Sequence, residues 1–245
     1  MITEESFIDF KCPYCGETIS FPRENAGHPQ ACPGCTESVI VPEDGRPEGH
    51  KLPLPITTQR LVLRRFGPVD WQDLLECLSD EEIFRHIDGR PLDEDEVLRW
   101  LERESQVKLT TPGQLFYLGI QCRESGKLAG YVSLSFSEPL QAEFQVVLNR
   151  AFQRKGLALE AVRAVLGFCF EGIRLHRVAA SCHGQNGPAR RLCENAGLRR
   201  EGEFLKSRFF DGAWIDTVSY AILEEEYRPA GAQSPPLVEG GSPGA

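Results

Sequence analysis

Four cysteines near the N-terminus constrain the fold of this chain more than any other feature. They form two Cys-x2-Cys units with sixteen residues between them: Cys12, Cys15, Cys32 and Cys35. Two residues between thiols let each pair form a tight turn with both sulfurs facing one metal ion, and four thiolates suit a structural zinc site. The alternative is a set of free thiols in an ordinary loop. The spacing favours structural Zn²⁺.

The segment around these cysteines resembles a zinc ribbon over about residues 7–42. A module of residues 1–46 has too small a core to fold on apolar burial alone, so a metal would supply the missing stability. Gly16 and Gly34 are expected to allow the turns that carry the ligands. Four thiolates close the coordination sphere, so no position stays open for catalysis and His28 is expected at the surface.

Acidic charge argues against nucleic acid as a partner. Residues 1–46 carry three Lys or Arg against eight Asp or Glu, and the whole chain carries 27 against 36, a net charge of −9. Broad nucleic-acid binding needs a basic surface. The predicted role of the ribbon is therefore structural, or the docking of a protein partner.

The first residues and the remaining cysteines predict a cytoplasmic protein. The opening MITEESFIDF is acidic and lacks the apolar core of a signal peptide. No apolar run approaches the length of a membrane span. In a reducing compartment the nine cysteines need a role other than disulfide formation.

The rest of the chain is predicted to contain a linker, one domain and a tail. Residues 47–56 are rich in Pro and Gly and read as a linker, and residues 229–245 have little to bury and are expected to be disordered. The domain, residues 57–228, has strand patterns at 60–66, 115–122, 128–136, 142–149, 177–182, 201–209 and 213–222 and helix patterns at 70–78, 93–109, 156–172 and 188–197. The fold class is α/β (α+β), with a mixed, mostly antiparallel sheet flanked by helices.

One stretch of the domain predicts an anion site. NRAFQRKGLALEAVRAVLGF, residues 149–168, places two cations and a glycine directly before a helix. Main-chain N–H groups at a helix start, helped by Arg154 and Lys155, suit a pyrophosphate, and Gly156 has no Cβ to keep the phosphates away. Taken alone, the same residues also suit a solvated basic turn before an amphipathic helix.

The order of motifs resembles the GNAT acetyltransferase superfamily, and more narrowly the branch with the N-terminal acetyltransferases of ribosomal proteins. The motifs that carry the resemblance are RLVLRRF, GKLAGYVSL, AEFQVVLNRAFQRKGLALEAV and NGPARRLCENAGLRREGEF. They cover about residues 57–227 in the family's order. The resemblance implies a GNAT-like sheet and acetyl-CoA as cofactor.

The same resemblance assigns the cofactor contacts. The loop that holds the CoA pyrophosphate corresponds to Gln153, Arg154, Lys155, Gly156, Leu157 and Ala158. The strand beside the pantetheine arm corresponds to Val146, Val147 and Leu148, with oxyanion donors near Val147. Asn186 corresponds to a cofactor-contacting Asn, and Arg190 is either a phosphate ligand or a solvated helix charge.

The catalytic residues follow the family less closely. Glu143 matches an acidic residue that takes the amine proton through water or only orients the substrate. Family members often carry Tyr seven residues after the Asn and, in the ribosomal branch, Ser three residues after it. This chain has Cys193 and Ala189 there. Cys193 is a candidate general acid, since a free thiol titrates near 8.5, or a small residue that packs the helix.

The sequence therefore predicts an acetyl-CoA-dependent N-acetyltransferase that acts directly on a primary amine. A protein N-terminus is the first expectation for the acceptor and a small-molecule amine the second. The alternative is a catalytically weak CoA sensor with a partner-docking ribbon, which the missing Tyr and Ser favour. The intact phosphate loop and Glu143 favour the enzyme.

Overall fold

A computed structural model of the chain describes residues 7–43, 49–109, 114–136 and 140–229. These residues form a small N-terminal module and a larger domain built on one eight-stranded sheet. The predicted disordered tail, apart from its first residue, lies outside the described residues. Among the helices that the structure describes, none has both the length and the apolar character needed to cross a membrane.

The N-terminal module consists of two small antiparallel sheets. Its strands are β1 (Phe7–Lys11), β2 (Thr18–Pro22), β3 (Pro29–Ala31), β4 (Ser38–Ile40) and β5 (His50–Lys51), in the orders β1-β2 and β3-β4-β5. The module core is small and contains Ile8, Phe10, Cys12, Ile19, Cys32, Val39 and Val41. Two of these seven buried residues belong to the cysteine cluster, so the cluster forms part of the module core.

The main sheet has the order β12-β13-β11-β10-β9-β8-β7-β6. Its strands are β6 (Ile56–Thr57), β7 (Leu61–Arg64), β8 (Leu115–Cys122), β9 (Leu128–Ser135), β10 (Gln141–Leu148), β11 (Arg177–His183), β12 (Arg199–Phe210) and β13 (Ala213–Leu223). Among the strands of this sheet that the structure describes, only β10 and β11 pair in parallel. A parallel pair needs a crossover, and the crossover here is the helix predicted after the basic loop.

Helices cover both faces of this sheet. They are α1 (Trp71–Leu78), α2 (Glu81–Phe84), α3 (Glu94–Gln106), α4 (Leu157–Gly167) and α5 (Gly187–Asn195), and α4 continues into a π-helical turn over Phe168–Gly172. α4 and α5 pack on one face with the larger core, and α1, α2 and α3 pack on the other. Asp93 caps α3 through a capping box with Glu96, which explains its start one residue after the predicted position.

The predicted linker contains ordered structure. His50 and Lys51 form β5, which pairs with β4 of the module, and Ile56 and Thr57 form β6 at the edge of the main sheet. Leu52 and Leu54 pack against the main core, which also contains Ile40 of the module. Alternating apolar residues within the Pro-rich segment therefore attach the module to the domain, and the Pro and Gly content concealed this pattern.

Candidate functional site

The parallel strands β10 and β11 separate after a short region of pairing. Their ladder contains Gln141 with Arg177, Ala142 with Val178 and Glu143 with Ala179, and it stops there. β10 continues for five more residues and β11 for four. Because main-chain groups along these segments face a gap and not a neighbouring strand, the gap can take an extended ligand that carries amide groups.

The other edge of β10 is held closely by β9. Gly130 of β9 has a φ of +149°, and a Cβ on this residue would lie 2.1 Å from the carbonyl oxygen of Val147. Only glycine allows this approach. The contact fixes the main chain of Val147 and Leu148, the segment predicted to line the pantetheine arm.

A capped turn leads from β10 into the basic loop. The side chain of Asn149 accepts a hydrogen bond from the N–H of Ala151 at 2.9 Å, and the side-chain amide of Gln153 donates to the carbonyl of Leu148 at 2.9 Å. Gln153, predicted to contact the cofactor, thus ties the loop to the end of the strand. Arg154 and Gly156 both adopt positive φ, +59° and +77°.

The N-terminus of α4 is open for an anion. Gly156 is its N-cap, and no side chain caps the first turn. The first N–H groups of a helix have no partner within it and carry a partial positive charge. Arg154 and Lys155 are exposed beside them. This arrangement fits the predicted pyrophosphate site.

A carboxylate in the first turn of α4 fixes the loop from the opposite side. Glu160 accepts hydrogen bonds from the hydroxyl of Thr58 at 2.6 Å and from the side chain of Arg60 at 2.6 Å. Arg60 also donates to the carbonyl of Lys155 at 2.8 Å. Burial alone would raise the pKa of Glu160, but the hydrogen bonds from Thr58 and Arg60 outweigh it and lower that pKa. Sequence reasoning missed this contact because a hundred residues separate its partners.

Asn186 and Arg190 lie at the start of α5. The carbonyl oxygen of the Asn186 side chain accepts from the N–H of Ala189 at 3.1 Å and so caps the helix, which leaves its amide N–H groups for a ligand. Arg190 donates to the carbonyl of Gly184 at 3.2 Å, and a hydrogen bond with Tyr220 raises its pKa. These contacts favour a role for Arg190 in holding the β11–α5 loop over a role as a mobile phosphate ligand.

Cys193 faces the interior of the domain. Its side chain is buried within the larger core, and burial raises the pKa of its thiol to about 12, with smaller contributions from Cys182 and Glu194. An ordinary thiol titrates near 8.5, so Cys193 holds its proton more tightly than the CoA thiolate would. The packing role fits this environment better than proton donation.

Half of one sheet face is polar and open. On the side of α1, α2 and α3, Tyr117, Tyr131 and Val147 belong to the core under these helices. Glu143 and Ser181, which by strand alternation point to the same side, are exposed. An acceptor can therefore approach the gap between β10 and β11 from this side, where Glu143 is placed.

The four N-terminal cysteines come together as predicted. The Sγ atoms of Cys12 and Cys35 lie 3.7 Å apart, as do those of Cys15 and Cys32, and all four lie within 4.8 Å of one another. Four sulfurs bound at 2.3 Å to a tetrahedral zinc ion would be about 3.8 Å apart. The donor set and its spacing fit Zn²⁺.

Both cysteine pairs sit in matching turns. The N–H of Gly16 donates to the carbonyl of Cys12 at 2.9 Å, and the N–H of Thr36 donates to that of Cys32 at 2.8 Å. Gly16 and Thr36 adopt φ of +77° and +60°. The prediction for Gly16 agrees with this geometry, whereas the left-handed position of the second turn is Thr36 and not Gly34.

Comparisons with known proteins agree with this geometry. A family model described as an acetyltransferase (GNAT) domain matches residues 60–199. YnaD of Bacillus subtilis, described as an uncharacterized N-acetyltransferase, is 32% identical over 174 residues, which cover 70% of this chain and 98% of YnaD.

Solved structures show the same fold. A GNAT-family acetyltransferase from Bacillus anthracis aligns with a TM-score of 0.64 and 29% identity over 69% of this chain and 98% of its own. Spermidine N-acetyltransferase from Vibrio cholerae, in complex with CoA and spermine, aligns with a TM-score of 0.60 and 21% identity over the same shares. On the open strand pair, the loop before α4 and these similarities together, the chain belongs to the GNAT acetyltransferase family and is an N-acetyltransferase.

Proposed function

We propose that this enzyme transfers the acetyl group of acetyl-CoA directly to the α-amino group of a protein N-terminus. The separation of β10 from β11 above the N-terminus of α4 carries the proposal. The N-terminus of α4 offers an anion site for the pyrophosphate, and the gap between the two strands offers an extended site for the pantetheine arm. The thioester at the end of that arm would lie beside the open half of the sheet.

The cofactor contacts follow from this alignment. The loop and first turn of α4 bind the pyrophosphate through main-chain N–H groups, with Arg154 and Lys155 adding charge. The free main-chain edge of Val146, Val147 and Leu148 binds the pantetheine amides. Main-chain N–H groups of this strand near Val147 stabilise the oxyanion that forms when the amine attacks the thioester.

The acceptor is inferred from the charges around the open face. Glu143 is the exposed carboxylate beside the gap, and among the described residues it has no ion-pair partner. Asp88 pairs with Arg208, and Glu201 pairs with Arg177 of β11. A single unpaired carboxylate suits an acceptor with one ammonium group better than a polyamine with several. Exposed Phe204, on the same face, can contact the first side chains of a peptide.

Protonation of the CoA thiolate is assigned to water. The raised pKa of Cys193, about 12, makes proton transfer from its thiol to a thiolate unfavourable. Direct transfer needs no acyl-enzyme nucleophile, so a buried thiol at this position is compatible with the reaction.

Thiol release from acetyl-CoA tests the acceptor. Peptides with a free N-terminus should be turned over, and the same peptides with a blocked N-terminus should not. Preference for spermidine or another small amine would instead identify a small-molecule acetyltransferase. CoA binding without turnover on any amine would support the sensor alternative.

Glu143→Gln is expected to raise the KM for the acceptor about tenfold, because the variant loses the charge that attracts the ammonium group. Acetyl-CoA affinity should not change. Glu124→Gln, an exposed carboxylate in the β8–β9 turn, is the matched control. Initial rates at varied peptide concentration measure the effect, and an unchanged acceptor KM would contradict this role.

Glu160→Gln is expected to weaken acetyl-CoA binding about tenfold, or about 1.4 kcal/mol, because the loop loses its ionic contact with Arg60. The pKa of Glu160 is below its ordinary 4.5, so this contact persists at neutral pH and is lost as the pH falls through the folded-state pKa. Calorimetry measures the affinity. Glu171→Gln, which changes a carboxylate at the other end of the same helical segment, should bind acetyl-CoA normally.

We also propose that the four thiolates hold one structural Zn²⁺. The ion would supply the stability that the small module core lacks. An ion pair between Glu43 and Arg174 at 2.8 Å attaches the module to the domain, so its first role is structural. If the module also docks a partner, its acidic charge predicts a protein and not a nucleic acid.

A further inference from the structure

Two histidines from distant parts of the chain meet at the open half of the sheet. His86 follows α2, and His183 ends β11. Their ring centroids lie 5.0 Å apart, and the ring of Phe210 in β12 lies 6.2 Å from that of His183. An ion pair between Asp88 and Arg208 ties the same loop to β12. The segment after α2 thus crosses toward the sheet beside the proposed acceptor site.

The histidine pair is level with the expected position of the thioester. The β10–β11 ladder pairs Glu143 with Ala179. Extending this offset by four residues along both strands places His183 level with Val147, on opposite sides of the gap. Strand alternation puts the side chains of Glu143, Val147 and His183 on the same side of the sheet. His183, and His86 against it, therefore border the place where amine and thioester would meet.

The hydrogen bonds of the two rings are unequal. The Nδ1 atom of His183 accepts from the N–H of Gln185 at 3.1 Å, so in its neutral form this ring carries its proton on Nε2. The Nδ1 atom of His86 is buried and has no hydrogen-bond partner among the described residues. A buried ring nitrogen without a protein partner requires one from solvent or from a ligand.

We infer that the imidazole of His86, supported by His183, accepts the proton that the acceptor ammonium must lose before it attacks acetyl-CoA. The inference rests on the proposed function and names the proton acceptor of that site. An imidazole is closer in basicity to an amine than an ordinary carboxylate is. Glu143 then attracts and orients the ammonium group, and the imidazole removes its proton.

The bonds, electron pairs and protons of the proposed step are all accounted for. One N–H bond of R–NH3⁺ breaks as the proton moves to His86, and the freed lone pair forms a C–N bond with the thioester carbonyl carbon. The C–S bond then breaks and its electron pair stays on sulfur. The second ammonium proton reaches this thiolate through water, and His86 returns its proton to solvent.

Burial, together with the surrounding charges, keeps His86 neutral at physiological pH. Burial has the largest effect and lowers the pKa of His86, His183 and Arg85 lower it further, and Glu82 opposes them. The charged and titratable groups around the pair come from α2, the loop after it, β11 and β12: Glu82, Arg85, Asp88, His183 and Arg208. A neutral imidazole is the form that accepts a proton.

The pH dependence of kcat tests this inference. In the unmodified protein, kcat should fall as the pH drops through the pKa of His86, which lies below the ordinary value for a histidine. His86→Gln should lower kcat about 100-fold and remove this fall of kcat at low pH, the acidic limb of the pH–rate profile. The affinity for acetyl-CoA should not change. His183→Gln should shift the limb to higher pH, because His183 lowers the pKa of His86. His176→Gln, a change at an exposed histidine before β11, should alter neither.

The outcomes separate the inference from the proposed function. If the unmodified enzyme acetylates peptides and His86→Gln keeps both its rate and its acidic limb, the inference is wrong and the proposed function stands. The same holds if Glu143→Gln alone removes the limb, since Glu143 would then be the base. If the unmodified enzyme acetylates no amine, both are wrong. An NMR titration of the His86 ring that matches the kinetic limb would support the assignment.

Discussion

Gly156→Glu is expected to abolish CoA binding, with at least a 100-fold increase in the dissociation constant, or about 2.7 kcal/mol. Gly156 has a φ of +77° and starts α4 at the proposed pyrophosphate site. A glutamate there places a negative side chain against the phosphates and opposes the helix dipole and the nearby cations. Calorimetric titration with CoA measures the effect.

Gly126→Glu is the matched control for this substitution. Gly126 has a φ of +71° and, like Gly156, lies at an exposed turn. An added Cβ meets no atom within 4 Å at Gly126, and at Gly156 it meets only the side chain of Arg60, at an ordinary contact distance of 3.5 Å. Both variants carry the same backbone strain and the same new charge, so their melting temperatures should fall by similar amounts. If Gly126→Glu binds CoA normally and Gly156→Glu does not bind it, the pyrophosphate lies at the N-terminus of α4. Normal affinity in both would place it elsewhere.

Much of the fold could be predicted because its signals are local. Apolar periodicity and helix caps predicted α1, α3, α4 and α5 to within a few residues. The strand patterns at 201–209 and 213–222 predicted β12 and β13, and the Asp-Gly pair between them is typical of the tight turn found there, where both residues adopt positive φ. The spacing of the four cysteines predicted their cluster, since each turn is local and one metal relates the two turns.

The features that position the site are not local. The gap between β10 and β11 depends on where a parallel ladder stops, and no residue marks that point in advance. The contact of Glu160 with Thr58 and Arg60, and that of His86 with His183, each join positions about a hundred residues apart. A sequence shows such residues singly, so each reads as an ordinary surface charge or a surface histidine.

The role of Cys193 illustrates the same difficulty. Its position after Asn186 suggested a proton donor by correspondence with the family's Tyr. Burial by the sheet and by the neighbouring helix decides its pKa, and the sequence does not give that burial. A residue can occupy a family's catalytic position and still lack the environment that its chemistry needs.

Loss of the metal is expected to unfold the N-terminal module. Metal analysis should give about one zinc ion per chain, and Cys32→Ser should lose most of it, because Cys32 is both a proposed ligand and a buried core residue, 1% exposed. Zinc binding contributes about 10–16 kcal/mol to such modules, more than a core of seven residues can replace. Limited proteolysis should then cleave within residues 7–43. Mass spectrometry of the fragments locates the cuts.

Cys122→Ser is the control, since Cys122 is a buried cysteine of the larger domain outside the cluster. It should keep its zinc and its protection from protease. The strands and loops of the proposed acetyl-CoA site all belong to the main domain, which has its own core. We therefore expect Cys32→Ser to bind acetyl-CoA within a few-fold of the unmodified protein. A folded module without zinc would contradict the structural role, and complete loss of acetyl-CoA binding would show that the module supports the active site through its contacts with the main core.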